Sequence, residues 1–200
     1  MSTETAPETA AATAVTYRLA PEQSKFTVQA FAEGLFSAFG HDPVIQIRSF
    51  SGEVHFVPGT FENASLKITV DPNSLAVSDA VKEKDRLEIE QTMRNEVLEI
   101  SRYHEIVFVS SNISVNRLAQ GRCQVRVIGD LTLHGVTRNS IWISAEAKIN
   151  EGTLQASGNF SLKQSDFGIK PYSAAGGTIK LKNELKFLFD LAGKSVSSAQ

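Results

Sequence analysis

Residues Ile179 to Leu191, IKLKNELKFLFDL, alternate in polarity over thirteen residues with Asn183 and Leu188 the two exceptions, and no other stretch limits the fold as tightly. Ile179, Leu181, Asn183, Leu185, Phe187, Phe189 and Leu191 share one side; Lys180, Lys182, Glu184, Lys186, Leu188 and Asp190 share the other. Successive side chains of an extended strand point to opposite faces, so a period of two marks a strand with an apolar face and a charged face. At about 3.3 Å per residue it runs on the order of 40 Å, well past an ordinary strand. A strand that long coils around something. The usual solution is a closed antiparallel barrel, in which each strand serves an inner and an outer surface.

The rest of the chain fits one such domain. Two hundred residues suit a single all-β unit, and an apolar share of 42% is enough for a core. A formal charge of -2 leaves no basic excess to neutralise phosphates, which argues against a nucleic-acid partner. The one cysteine, Cys123, rules out an internal disulfide and fits a reducing compartment. No apolar run approaches the length of a membrane span, so stable membrane insertion is not expected. The opening MSTETAPETAAATAVT has neither the positive start nor the apolar centre of an export signal. The expected location is therefore the cytoplasm. Residues 1–16 and 194–200 are expected to be disordered tails around a domain at 17–193.

In chain order, Tyr17–Ala20 and Lys25–Phe31 read as strands, the second with Phe26, Val28 and Ala30 on one face. Glu33–Gly40 holds Leu35, Phe36 and Phe39 between glycines, and Gly40 to Pro43 make a turn. Val44–Phe50 and Gly52–Val57 read as a hairpin, and Leu66, Ile68 and Val70 mark a further strand. The period then changes once: Ile89, Met93 and Val97 fall four apart, which predicts a helix over 85–97 with Asp85 as N-cap and Glu88 as its capping-box partner. From Glu105 onwards the chain is strand after strand. The fold class is all-β: an antiparallel barrel of about eight strands with one α-helix across its side or mouth.

A barrel of roughly eight strands is filled by its own side chains or left open for one small ligand. Symmetric pairing about the loop Asn150–Thr153 sets Ile149 against Leu154, Ala147 against Ala156, Ala145 against Gly158 and Ile143 against Phe160. Four small residues then sit side by side. Because interiors tolerate few voids, either large residues such as Phe187 or Trp142 lean into that patch or an apolar ligand fills it. The 12 phenylalanines, most of them in phase with the apolar face, would offer such a guest burial and few hydrogen bonds. A long hydrocarbon fits those walls; a sugar or nucleotide would leave polar groups unpaired.

Catalytic signals are weak beside this. His41 next to Asp42 is the most enzyme-like pair, with Asp85 a further acid, but adjacent side chains usually point apart and Asp42 before Pro43 is better read as turn chemistry. His55, His104 and His134 show no metal-type spacing, and Cys123 is in phase with Val125 and Val127 as a small buried hydrophobe. No catalytic residue, metal or cofactor is expected. Ser165–Thr178, SDFGIKPYSAAGGT, places Phe167, Ile169 and Tyr172 among Gly168, Pro171, Gly176 and Gly177; it is either a lid over the barrel mouth or a packed surface loop.

From about Tyr17 to Ala192 the sequence resembles the YceI-like family, lipocalin-like barrels associated with binding polyisoprenoid or related lipids. The likeness rests on YRLAPEQSKFTVQA, the FGHDP turn at Phe39–Pro43, FSGEVHF, KDRLEIEQTM, YHEIVF, GNFSLKQSDFGIKP and above all GDLTLHGVTR at Gly129–Arg138. Two features depart from the pattern: no export signal is seen, and Pro43 stands where some members have a second histidine two positions after the one matching His41. The resemblance implies a tunnel holding one amphiphile with a long tail, in a homodimer, and with the apolar inner face the expectation is a carrier that leaves its ligand unchanged. Its lining would come from Phe26, Val28, Phe108, Leu131, Leu133, Ile143, Ala145, Phe160, Leu162, Leu185 and Phe187. The mouth would involve Phe36, Phe39, Phe167, Ile169 and Tyr172, with His41 also counted as ligand-binding. An enzyme using His41 and Asp42 on such a lipid, or a solid-cored interaction module for stress physiology, are the alternatives.

Overall fold

The computed structural model describes residues 13–33, 42–78, 82–119, 121–150, 152–174 and 179–196. Its strands are β1 (Val15–Leu19), β2 (Lys25–Glu33), β3 (Val44–Ile47), β4 (Phe50–Phe56), β5 (Ser65–Val70), β6 (Leu75–Val77), β7 (Ile106–Arg117), β8 (Arg122–Leu133), β9 (Val136–Asn150), β10 (Thr153–Lys163), β11 (Ser173–Ala174) and β12 (Ile179–Val196). Between β6 and β7 lies α1 (Glu83–Thr92), the one α-helix among the described residues.

Eight strands close a ring in the order β1, β4, β5, β7, β8, β9, β10, β12, and β12 returns to β1, every neighbour antiparallel. Closure removes the exposed edges that an open sheet would present. On the edge away from β10, strand β12 serves two partners: residues 193–196 pair with β1 and residues 180–190 with β2. Beyond the ring, β2, β3 and β6 pair in succession and extend its upper half.

Three barrel staves are therefore broken strands. β1 runs into β2 across a short turn at Pro21–Gln23, β3 into β4 across Arg48–Ser49, and β5 into β6 across a turn at Pro72–Ser74. Pro21 and Pro72 have no N–H to give to a ladder, which favours breaks there. The breaks are stitched to their neighbours: Ala20 N–H donates to Ala192 O (2.8 Å), Ala192 N–H to Ser24 Oγ (3.0 Å), and Asp71 N–H to Ser49 O (3.1 Å).

This arrangement corrects the expected hairpin between Val44–Phe50 and Gly52–Val57, because β3 and β4 do not pair with each other. A two-residue hairpin turn needs left-handed backbone, and neither Arg48 nor Ser49 has it. The chain continues along the same stave. Strand pairing also reaches further than expected at both ends, with Thr16 opposite Val196, so residues assigned to both tails belong to the sheet.

The helix starts two residues earlier than the periodicity predicts. Lys82, not Asp85, stands at the N-cap and makes no side-chain bond there. Glu83 and Asp85 instead put negative charge in the first turn, which favours the helix dipole. Beyond Thr92 the helix widens over Met93–Val97, with Leu98 N–H bonded to Met93 O at 2.9 Å. Glu90 docks the helix on the sheet extension by accepting the Val77 N–H at 2.9 Å.

Candidate functional site

The inward side chains enclose a cavity of about 1040 Å³, at the upper end of the roughly 300–1,000 Å³ usual for ligand pockets. Its wall follows the strand alternation: Val125 and Val127 from β8, Ile143, Ala145 and Ala147 from β9, Ala156 and Phe160 from β10, and Leu181, Leu185, Phe187, Phe189 and Leu191 from β12. The β9–β10 register sets Ala147 opposite Ala156 and Ala145 opposite Gly158, as the loop length implied. Phe189 occupies the space left by Gly158, where an added Cβ would come within 2.7 Å of its ring. Phe160 and Phe187 stack on each other at 4.7 Å and 7°. The three alanines stay uncovered and line the cavity. Trp142, a candidate to fill that patch, is 60% exposed on the outside, with the Arg126 guanidinium over its ring at 5.7 Å. It sits between Ile141 and Ile143 in the sequence, so its phase is outward.

The two ends differ in chemistry. At the lower end, Phe56 stacks on Tyr17 (5.6 Å, 4°) and packs at a tilt against Phe61 (5.3 Å, 36°), with Leu154 buried beside them. At the upper end lie Ile89, Thr92, Met93 and Val97 of the helical segment, and, among the described residues, every charged one that lines the cavity: Asp42, Lys82, Asp85, Glu88, Lys163 and Lys180. Two of these are engaged. Ala32 N–H donates to Asp42 Oδ1 (3.0 Å), and Lys180 Nζ pairs with Glu33 at 3.2 Å.

Each described residue expected to bind ligand borders this one cavity: Phe26, Val28, Phe108, Leu131, Leu133, Ile143, Ala145, Phe160, Leu162, Leu185 and Phe187 on the strands, and Phe167, Ile169 and Tyr172 in the β10–β12 connection. Phe36, Phe39 and His41 lie outside the described residues, as do Gly176 and Gly177. The connection's first half is wall rather than lid: Phe167 is 1% and Ile169 4% exposed, packed in one cluster with Leu131 and Leu133. The sequence reading left out Phe56, Phe61, Met93, Phe189 and Leu191, all of which line the cavity. Phe189 and Leu191 were legible from the alternation of the last strand. Phe56 and Phe61 were not, because their positions depend on packing across three elements.

The GDLTLHGVTR segment owes its pattern to a tight turn. His134 (φ 52°) and Gly135 (φ 71°) form the two-residue link between β8 and β9, both in the left-handed backbone such a hairpin requires. Leu131 and Leu133 face inward, Thr132 and Thr137 share a hydrogen bond at 2.8 Å, and Arg138 donates to the Asp166 carbonyl. His134 Nε2 meets Glu99 Oε2 at 2.8 Å beneath the Tyr103 ring, and neither lines the cavity. His55 bonds Thr16 Oγ1 at 2.7 Å through Nδ1. Among the described residues no three of His, Cys, Asp and Glu gather as a metal set, and no helix is long and apolar enough to cross a membrane.

A family model described as YceI-like domain matches residues 17–191. No curated protein matches in sequence. Among solved structures, BcnA of Burkholderia cenocepacia is similar at 19% identity and a TM-score of 0.63, over 87% of this chain and 98% of its own. A domain from Saccharophagus degradans, described as polyisoprenoid binding and implicated in plant cell wall breakdown, is similar at 15% identity and 0.65, over 90% and 98%. The Campylobacter jejuni YCEI protein gives 16% and 0.57, over 77% and 85%. At these identities the likeness concerns the fold.

Proposed function

Since the chain belongs to the YceI-like family, matched over residues 17–191, we propose that it is a carrier that holds one long-chain apolar compound, a polyisoprenoid or fatty-acyl lipid, inside its barrel without altering it. One observation carries this: a cavity of about 1040 Å³ with apolar walls and, among the described residues, all its charged lining at one end. Such a space stabilises a hydrocarbon by about 25 cal/mol per Å² of apolar surface removed from water, while a polar guest would lose hydrogen bonds to water without replacement. The polar head stays at the charged end and the tail runs inward. The Saccharophagus degradans domain, described as polyisoprenoid binding, supports the choice of ligand class. The family resemblance adds a homodimer, which sedimentation of the purified chain checks.

Ala145 and Ala147 supply the test. Replacing Ala145 by Trp fills the tunnel between the wall strands. Mass spectrometry of organic extracts from detergent-free protein should find lipid in the wild type and none in a folded Ala145→Trp variant. Wild-type protein with neither extractable lipid nor affinity for added prenols would sink the proposal.

A further inference from the structure

The connection from β4 to β5 carries three residues with left-handed backbone within five positions, Gly59 (φ 95°), Phe61 (58°) and Asn63 (53°). Glycine and asparagine take up that conformation readily; for a bulky side chain such as phenylalanine it is an outlier, because Cβ crowds the backbone. Such strain persists only where the surroundings hold it in place. Here they do. Phe61 N–H is bonded to Val57 O at 2.8 Å, its ring packs against Phe56 at 5.3 Å with the planes tilted by 36°, and the Arg117 guanidinium covers it at 5.1 Å. Behind Phe56, the Tyr17 ring lies parallel, and its hydroxyl donates to the Asn150 carbonyl at 3.4 Å, joining β1 to the end of β9. The barrel end is thus crossed by an aromatic plate, of which Phe56 and Phe61 face the cavity.

We propose that this plate is a ruler: Phe61, backed by Phe56, stops the tail of the bound compound and sets the longest chain the barrel encloses. The inference rests on the carrier reading above and names what limits its ligands. It follows from a cavity with one charged end, since a head held there leaves the tail's tip against the plate. Each methylene added below the limit is buried and tightens binding; each one beyond it is pushed back into water and adds nothing. Affinity therefore rises with length and then levels off.

The test is a set of dissociation constants for linear prenols of graded length, measured on the full-length chain as wild type, Phe61→Ala and Phe61→Trp. Phe61→Ala levels off at least one isoprene unit later than the wild type and binds prenols beyond the wild-type limit at least tenfold tighter, about 1.4 kcal/mol. Phe61→Trp levels off earlier. If Phe61→Ala does not fold, the shift in Phe61→Trp decides alone. A wild type that binds prenols with a length limit, unchanged in the folded variants, overturns the ruler and leaves the carrier standing. A wild type that binds none overturns both.

Discussion

At the lower end of the barrel three aromatic rings pack in a row across the opening, with Tyr17 and Phe56 each 5% exposed. At the upper end a helix with charged residues on most of its surface lies over the cavity, and its inward contacts are few: Met93, Glu90 with its bond to Val77, and Arg94 with its bond to the Leu75 carbonyl at 2.9 Å. The lower end is held by ring burial between strands of the closed sheet. The upper end is held by a roof docked on the short, outlying strand β6. A closed sheet cannot open one stave without breaking two ladders, whereas a docked helix can lift at the cost of its own contacts. Under the carrier reading proposed above, the contrast makes the plate the stop and the roof the end by which a guest enters.

The largest effect expected from this contrast is at the plate. Phe56→Ala removes a ring that touches both Tyr17 and Phe61 and leaves a hole between strands, so urea unfolding should show a loss of about 3–5 kcal/mol. A loss under about 1 kcal/mol would mean that the plate adds no more than a surface residue, and the contrast would fail.

The roof is expected to respond locally. Glu90 Oε1 accepts from Val77 N–H, on a residue with no exposed surface, while Oε2 pairs with Arg94 at 3.3 Å. Glu90→Ala strands that buried donor, at about 1–3 kcal/mol. Amide exchange should speed up in α1 and β6 and stay unchanged in β1 and β4. Equal acceleration at both ends would remove the distinction between stop and entrance.

How far the sequence revealed these parts depends on the range of the forces involved. The barrel wall was legible because alternation is local: β12 shows its inner face residue by residue, and the β9–β10 register follows from the chain length between Asn150 and Thr153. The broken staves were not. Val44–Ile47 and Phe50–Phe56 have the same composition whether they pair with each other or run end to end, and only the absence of left-handed backbone at Arg48 and Ser49 decides it. Within the site, the phase of Phe26, Leu131 or Phe187 was enough to place them on the wall. The plate escaped notice because Tyr17, Phe56 and Phe61 meet only once β1, β4 and the following connection are folded together, and no spacing in the sequence encodes a stack. Glu90 escaped too, since a glutamate on a charged helix looks like one more solvated residue until Val77 is seen beneath it.

The smallest effect concerns what keeps Phe61 in its strained backbone. Arg117, at the end of β7, sets its guanidinium 5.1 Å from the ring centroid. A cation over an aromatic face at a partly exposed site is worth about 0.5–1 kcal/mol. Removing either partner also changes packing with other neighbours, so a single substitution cannot isolate the contact. A double-mutant cycle of Arg117→Gln and Phe61→Leu can, because leucine keeps the apolar bulk and loses only the ring face. The expected coupling is about 0.5–1 kcal/mol in thermal or urea unfolding. A coupling of zero would show that Phe56 alone holds the ring. The plate would then be fixed from within the barrel only, and widening it would require changes at Phe56 rather than at the rim.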